Sequence, residues 1–308
     1  LKRDCKFIDE KGNEIKLSES IEDAFLVCLL AEHYPGLHNQ INCRLQKQDE
    51  DPFPVVWSLV DLDMISFYLT NPFRFAYYIR QRSLLFDYFW ADSEISFLSY
   101  HLKQKLFKVP GKDKVALDES FAQYIDGSFP ALKGYQPKTK AVDKLQTKWK
   151  NENFNKLVSQ VIATRNPGFT DAVFFLYDME GKGADETIKF IEEAKKRCTA
   201  SGKPASATMI NKEERFGTSY LVEQGFSPNL VQKVLAYGQL AKYKHKADIW
   251  LSLGSFLNSG NYIDAVAFSN QPWVKNTQME YLVNQQLRPG IFVNIDKKVG
   301  RNDKCPCG

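Results

Sequence analysis

No apolar stretch in this chain is longer than the eight residues Ala24-Phe25-Leu26-Val27-Cys28-Leu29-Leu30-Ala31. A helix needs about 20 such residues to cross a bilayer. The chain must therefore build its core from short elements that each hide one side. Hydrophobic content of 44% and charged content of 25% suit a globular protein in water. With 22 Phe and 14 Tyr, that core is expected to be aromatic-rich. At 308 residues there is room for one large domain or two of ordinary size. The net charge of +4 is too small to imply a polyanionic partner by itself; local clustering has to carry that signal.

Turn and cap residues divide the chain. Over residues 1–50 the pattern reads strand, turn at Lys11-Gly12-Asn13, strand, then the buried run at 24–31 and a break at Tyr34-Pro35-Gly36. This is the texture of the trailing part of an α/β sheet. Residues 51–134 read as a helical domain. Ser58 with Asp61 makes a capping box before Leu62, Ile65 and Leu69. Asn71-Pro72 ends that helix and starts another, with Phe75, Tyr78 and Ile79 as its stripe and Arg74, Arg80 and Arg82 as polar punctuation. Asp92 is expected to cap a third helix with Ile95, Leu98 and Leu102 inward.

Residues 135–296 alternate strand and helix. Ala172–Asp178 reads as a strand, and Asp185 caps a helix with Ile188, Ile191, Ala194 and Cys198 on one face. Ser206–Ile210 and Thr218–Val222 form an antiparallel pair. Pro228 opens a helix carrying Leu230, Val231, Val234 and Leu235. Strands at 249–253 and 263–268, a helix at 276–286 and a strand at 291–295 follow. The order β-α-β-β-α-β predicts a ferredoxin-like α/β sandwich with an added strand. The fold class is thus α/β (α+β).

Residues 297–308 hold the sharpest chemical signal, Gly300-Arg301-Asn302-Asp303-Lys304-Cys305-Pro306-Cys307-Gly308. Two cysteines with one residue between them, in a Pro/Gly frame, make a zinc knuckle. Tetrahedral zinc takes four ligands, so Cys305 and Cys307 are half a site. The remaining cysteines, Cys5, Cys28, Cys43 and Cys198, show no disulfide-framework spacing and read as reduced thiols, with Cys28 and Cys198 at apolar positions. That usage, with no leader visible at Leu1-Lys2-Arg3, points to the cytoplasm. Lacking an initiator Met, the chain reads as beginning inside a longer protein.

The tail resembles the SEC-C motif found at the C-terminus of the translocase motor SecA and of other bacterial proteins. In that family the motif continues with Ser-Gly, lysines and a Cys-Cys or Cys-His pair that completes a structural Zn²⁺ site. No phosphate-cradling Gly-x-x-x-x-Gly-Lys-Ser/Thr loop occurs, so the body is not that motor. The blocks Leu59–Ile65, Asn71–Arg82, Phe97–Lys103 and Lys246–Leu251 resemble SEC-C proteins whose N-terminal domain is restriction-endonuclease-like, with a Glu-x-Lys active-site strand. That strand is not found in this chain and is expected before Leu1. The resemblance implies nucleic-acid processing, Mg²⁺ chemistry in the endonuclease-like domain, and a role in bacterial defence. The competing expectation is a non-enzymatic adaptor docking on a chaperone, ribosome or other protein through the zinc tail.

Other candidate sites carry a duller reading beside the functional one. Asp178 and Glu180, at the end of a strand, could hold a divalent cation or simply line a surface loop. His101 lies near Asp92 and Glu94 but suits a boundary position; His33, His38 and Cys43 match no metal spacing. For DNA or RNA the candidates are Lys138, Lys140, Lys144 and Lys148, then Lys297, Lys298, Arg301 and Lys304, with Lys242–Lys246 as a third patch. Solvated helix faces would look the same. Lys195, Lys196 and Arg197 are expected to answer a helix dipole.

Overall fold

The computed structural model describes residues 7–8, 11–15, 25–31, 53–126, 128–134, 151–165, 168–286 and 293–295. The chain divides into two compact units, Leu1–Gln146 and Thr147–Gly308. Both mix helices and strands, so the α/β class holds.

In the first unit, strands β1 (Phe7–Ile8) and β2 (Glu14–Ile15) pair antiparallel across the expected turn, where Gly12 adopts φ 83°. Strand β3 (Val27–Leu30) runs parallel to β4 (Val55–Ser58). The run containing β3 is less buried than its composition predicts: Leu26 is 61% and Leu29 46% exposed, and Cys28 is exposed. Val27 packs against the core.

Ser58 ends β4 and caps α1 (Leu59–Tyr68). Its Oγ accepts from the Asp61 amide at 3.1 Å while the Asp61 carboxylate accepts from the Ser58 amide at 2.8 Å. The capping box is therefore complete with Asp in the usual Glu place. Helix α2 (Pro72–Leu84) starts at the Asn71 cap, whose Oδ1 accepts from Phe73 N at 2.9 Å. Strand β5 (Phe89–Ala91), helix α3 (Glu94–Gln104), strand β6 (Val115–Leu117) parallel to β5, and helices α4 (Glu119–Asp126) and α5 (Phe129–Leu132) complete the unit. The segment expected to be wholly helical thus carries two short strands besides β4. Ser93, not Asp92, stands at the α3 N-cap. The core is aromatic as expected, built on Trp57, Tyr78, Phe89, Phe97 and Tyr100.

In the second unit, helices α6 (Glu152–Thr164), α7 (Phe169–Asp178) and α8 (Lys182–Ser201) precede the sheet. Then come β7 (Ala205–Asn211), β8 (Phe216–Glu223), α9 (Leu230–Lys244), β9 (Ile249–Phe256), a 3-10 turn at Leu257–Ser259, β10 (Ala265–Ser269), α10 (Thr277–Gln286) and β11 (Val293–Ile295). The sheet order is β10-β9-β8-β7-β11. β7–β8 and β9–β10 are antiparallel; β8–β9 and β7–β11 are parallel.

The expected strand at 172–178 is helix α7, so the β-α-β-β-α-β order of a ferredoxin-like sandwich is not formed. The cause is burial on all sides: Ala172 to Tyr177 are each 6% exposed or less. A short continuous apolar run shows no period that separates a sunken helix from a strand.

Helices cover both faces of the sheet. Phe175 on α7 meets Phe216 at 5.4 Å, and Phe190 on α8 meets Tyr220 at 6.3 Å, on one face. On the other, α9 lies so close that a Cβ at Gly238 would fall 1.8 Å from Ser252 Oγ. Of the four apolar residues expected inward on α9, Leu230 and Val234 are buried, while Val231 and Leu235 are 49% and 46% exposed. All four α8 positions expected inward are buried.

Candidate functional site

The proposed zinc ligands Cys305 and Cys307 lie outside the described residues. So do Lys138, Lys140, Lys144, Lys148, Lys297, Lys298, Arg301 and Lys304, and so do His33, His38 and Cys43. Among the described residues no group of three or more His, Cys, Asp or Glu side chains could hold a metal ion. The described cysteines, exposed Cys28 and buried Cys198, are free thiols. Burial pushes the Cys198 thiol up, away from the thiolate that a metal or a nucleophilic role requires.

Asp178 and Glu180 are both 7% exposed, at the end of helix α7 rather than of a strand. The expected surface loop between them and α8 is a tight turn with Gly181 at φ 96°. Asp185 does not cap α8; Gly181 stands at that position, and the Asp185 carboxylate accepts from Asn151 Nδ2 at 2.6 Å.

His101 is buried edge-on against Tyr78, ring centroids 5.0 Å apart. Its expected acidic neighbour Glu94 is engaged elsewhere. Arg82, expected on the polar face of α2, is 5% exposed. Its Nε and Nη2 each reach a Glu94 carboxylate oxygen at 2.9 Å, and the Tyr78 hydroxyl donates to Oε1 at 2.5 Å. The Phe97 ring centre lies 3.5 Å from the guanidinium carbon. Burial raises the Tyr78 phenol well above its ordinary range, and the Glu94 charge adds to that. Arg82 stays cationic: burial opposes its charge, but Glu94 more than compensates. No local pattern announces this triad, because Glu94 comes from a different helix.

The Lys242–Lys246 patch is largely consumed inside its own unit. Lys242 Nζ donates to Ser269 Oγ at 2.7 Å and to the Gln271 carbonyl at 2.5 Å. Lys246 Nζ sits 5.6 Å from the Trp273 ring centre. Trp273 N in turn donates to Asp248 Oδ1 at 2.8 Å, and Tyr243 OH bridges the Asn276 amide and carbonyl. These contacts pin the segment between β10 and α10 onto the end of α9. His245 lies parallel to Trp250 at 6.0 Å.

Lys195, Lys196 and Arg197 are not in the last turn of their helix, which continues to Ser201. The Lys195 ammonium donates to the Asn261 carbonyl and lies 5.5 Å from the Tyr262 ring centre. Burial lowers its pKa, against the opposing pull of Asp264 and Glu192. Arg197 Nη2 donates to the Ser206 carbonyl at 3.2 Å.

No helix among the described residues is long and apolar enough to cross a membrane. Compared with protein-family models, with curated proteins and with solved structures, the chain finds no match.

Proposed function

We propose that this chain is the zinc-motif-bearing portion of a bacterial nucleic-acid-processing protein, of the restriction-endonuclease-like kind, acting in the cytoplasm and in defence. The observation that carries the reading is the sequence Gly300–Gly308. Its two thiolates, with one residue between them, suit zinc by donor chemistry. Cys305 and Cys307 would hold the ion together with two donors outside the pair. Bound zinc would order a segment with too little apolar surface to fold alone, and its binding would release thiol protons. Its role is structural. Cleavage of DNA or RNA would belong to the endonuclease-like domain, with Mg²⁺ bound there by carboxylates.

The full reading frame, purified under reducing conditions, is expected to carry zinc by elemental analysis, and Cys305→Ser with Cys307→Ser to abolish it. The same protein is expected to digest DNA or RNA in Mg²⁺. Zinc content unchanged in the double variant defeats the zinc reading. Zinc without digestion of either nucleic acid shifts the reading to an adaptor that docks on a protein partner through the tail.

A further inference from the structure

Open α/β sheets take ligands in the crevice beyond the carboxyl ends of their parallel strands. Here that place is the end of β8, where the chain leaves Glu223 to cross over through α9 to the parallel strand β9. Four polar side chains from four elements gather there. Arg197 comes from α8, Ser206 from the start of β7, Tyr237 from α9 and Glu223 from β8 itself.

Arg197 is half-buried, and its recorded bond is a single one, from Nη2 to the Ser206 carbonyl at 3.2 Å. A guanidinium has five N–H donors in a planar fork. No carboxylate pairs with it among the described residues. The Tyr237 hydroxyl faces the Ser206 side chain and lies within the field of Arg197. One turn earlier on α9, Lys233 reaches Glu223 Oε1 at 2.5 Å and Ser227 Oγ at 3.4 Å. Two cations against one carboxylate leave the cluster with a single positive charge. A fork donor, a phenol and a serine around one surplus charge match an oxyanion, which Arg binds bidentately.

We propose that Arg197, Tyr237 and Ser206, with Lys233 beside them, form a binding site for a phosphate group at the carboxyl end of β8. The site lies within one unit and does not depend on the zinc reading. The group could come from free phosphate or from a nucleotide terminus, and the probes separate these. The full chain is titrated by calorimetry with inorganic phosphate, a nucleoside 5′-monophosphate, a 5′-phosphorylated oligonucleotide and the same oligonucleotide with a 5′-hydroxyl.

Binding is expected for at least one phosphate-bearing probe and not for the 5′-hydroxyl oligonucleotide. Arg197→Met is expected to weaken it about tenfold or more, as loss of a charge-assisted contact does. Arg197→Lys keeps the charge but loses the fork, and is also expected to weaken it. Lys196→Met, next in the chain and exposed, should leave it unchanged. Circular dichroism checks that each variant is folded. The proposal is overturned if no phosphate-bearing probe binds, or if folded Arg197→Met and Tyr237→Phe both bind as the parent does. It is equally overturned if Lys196→Met weakens binding as much as Arg197→Met. A chelator in a parallel titration should change nothing; loss of phosphate binding there also overturns the proposal.

Discussion

Replacing Glu94 by Ala removes the one carboxylate that receives both the Arg82 fork and the Tyr78 hydroxyl. Arg82 is 5% exposed and Glu94 1%, so water does not replace the lost partner. Breaking a buried pair from one side costs about 3–5 kcal/mol, because the surviving charge stays desolvated. Domains are stable by about 5–15 kcal/mol, so the first unit should be brought close to unfolding. At a urea slope of about 1–3 kcal/mol per molar, the midpoint of that unit falls by at least about 1 M. Hydrogen exchange followed by mass spectrometry can read the units separately. Peptides from α2 and α3 should lose protection, while those from β7–β9 should keep theirs. The double variant Arg82→Met with Glu94→Leu buries no charge and is expected to recover much of the loss. A Glu94→Ala cost below about 1 kcal/mol would show the pair to be worth no more than an exposed one, and the argument from desolvation would fail.

The second unit offers two more tests. Gly238→Ala places a methyl 1.8 Å from Ser252 Oγ and 2.8 Å from its Cβ, on the face of α9 that meets the sheet. A cost of about 1–3 kcal/mol is expected in urea unfolding, with partial rescue by Ser252→Ala, which removes the nearer atom. Burial lowers the pKa of both Lys195 and Lys242 below 10.5. The unfolded chain then binds more protons than the folded one as pH approaches 10.5, so their contribution to stability rises with pH. Lys195→Met with Lys242→Met should flatten the pH dependence of the urea midpoint between about pH 8 and 10; an unchanged slope would count against it.

Local features could be read from the chain alone. The Ser58–Asp61 box and the Asn71-Pro72 start are each set by residues within three positions of one another. The Gly12 turn and the β7–β8 pair are likewise near in sequence, and the α8 stripe repeats at helical spacing. Candidate chemistry was legible only where residue type and spacing suffice, in the cysteine pair of the tail.

The environment of each side chain was settled by packing. Residues 172–178 carry the same apolar run whether they form a strand or a helix; burial from every side made them a helix. Arg82 looks like any surface arginine until Glu94, twelve residues away on another helix, enters the same buried space. Lys242 and Arg197 sit in charged runs that read as solvated, yet each donates to a carbonyl that the fold brings alongside, from Gln271 and Ser206. A backbone pattern reports its own neighbours, whereas the cost of burying a charge depends on which partner the fold brings within reach.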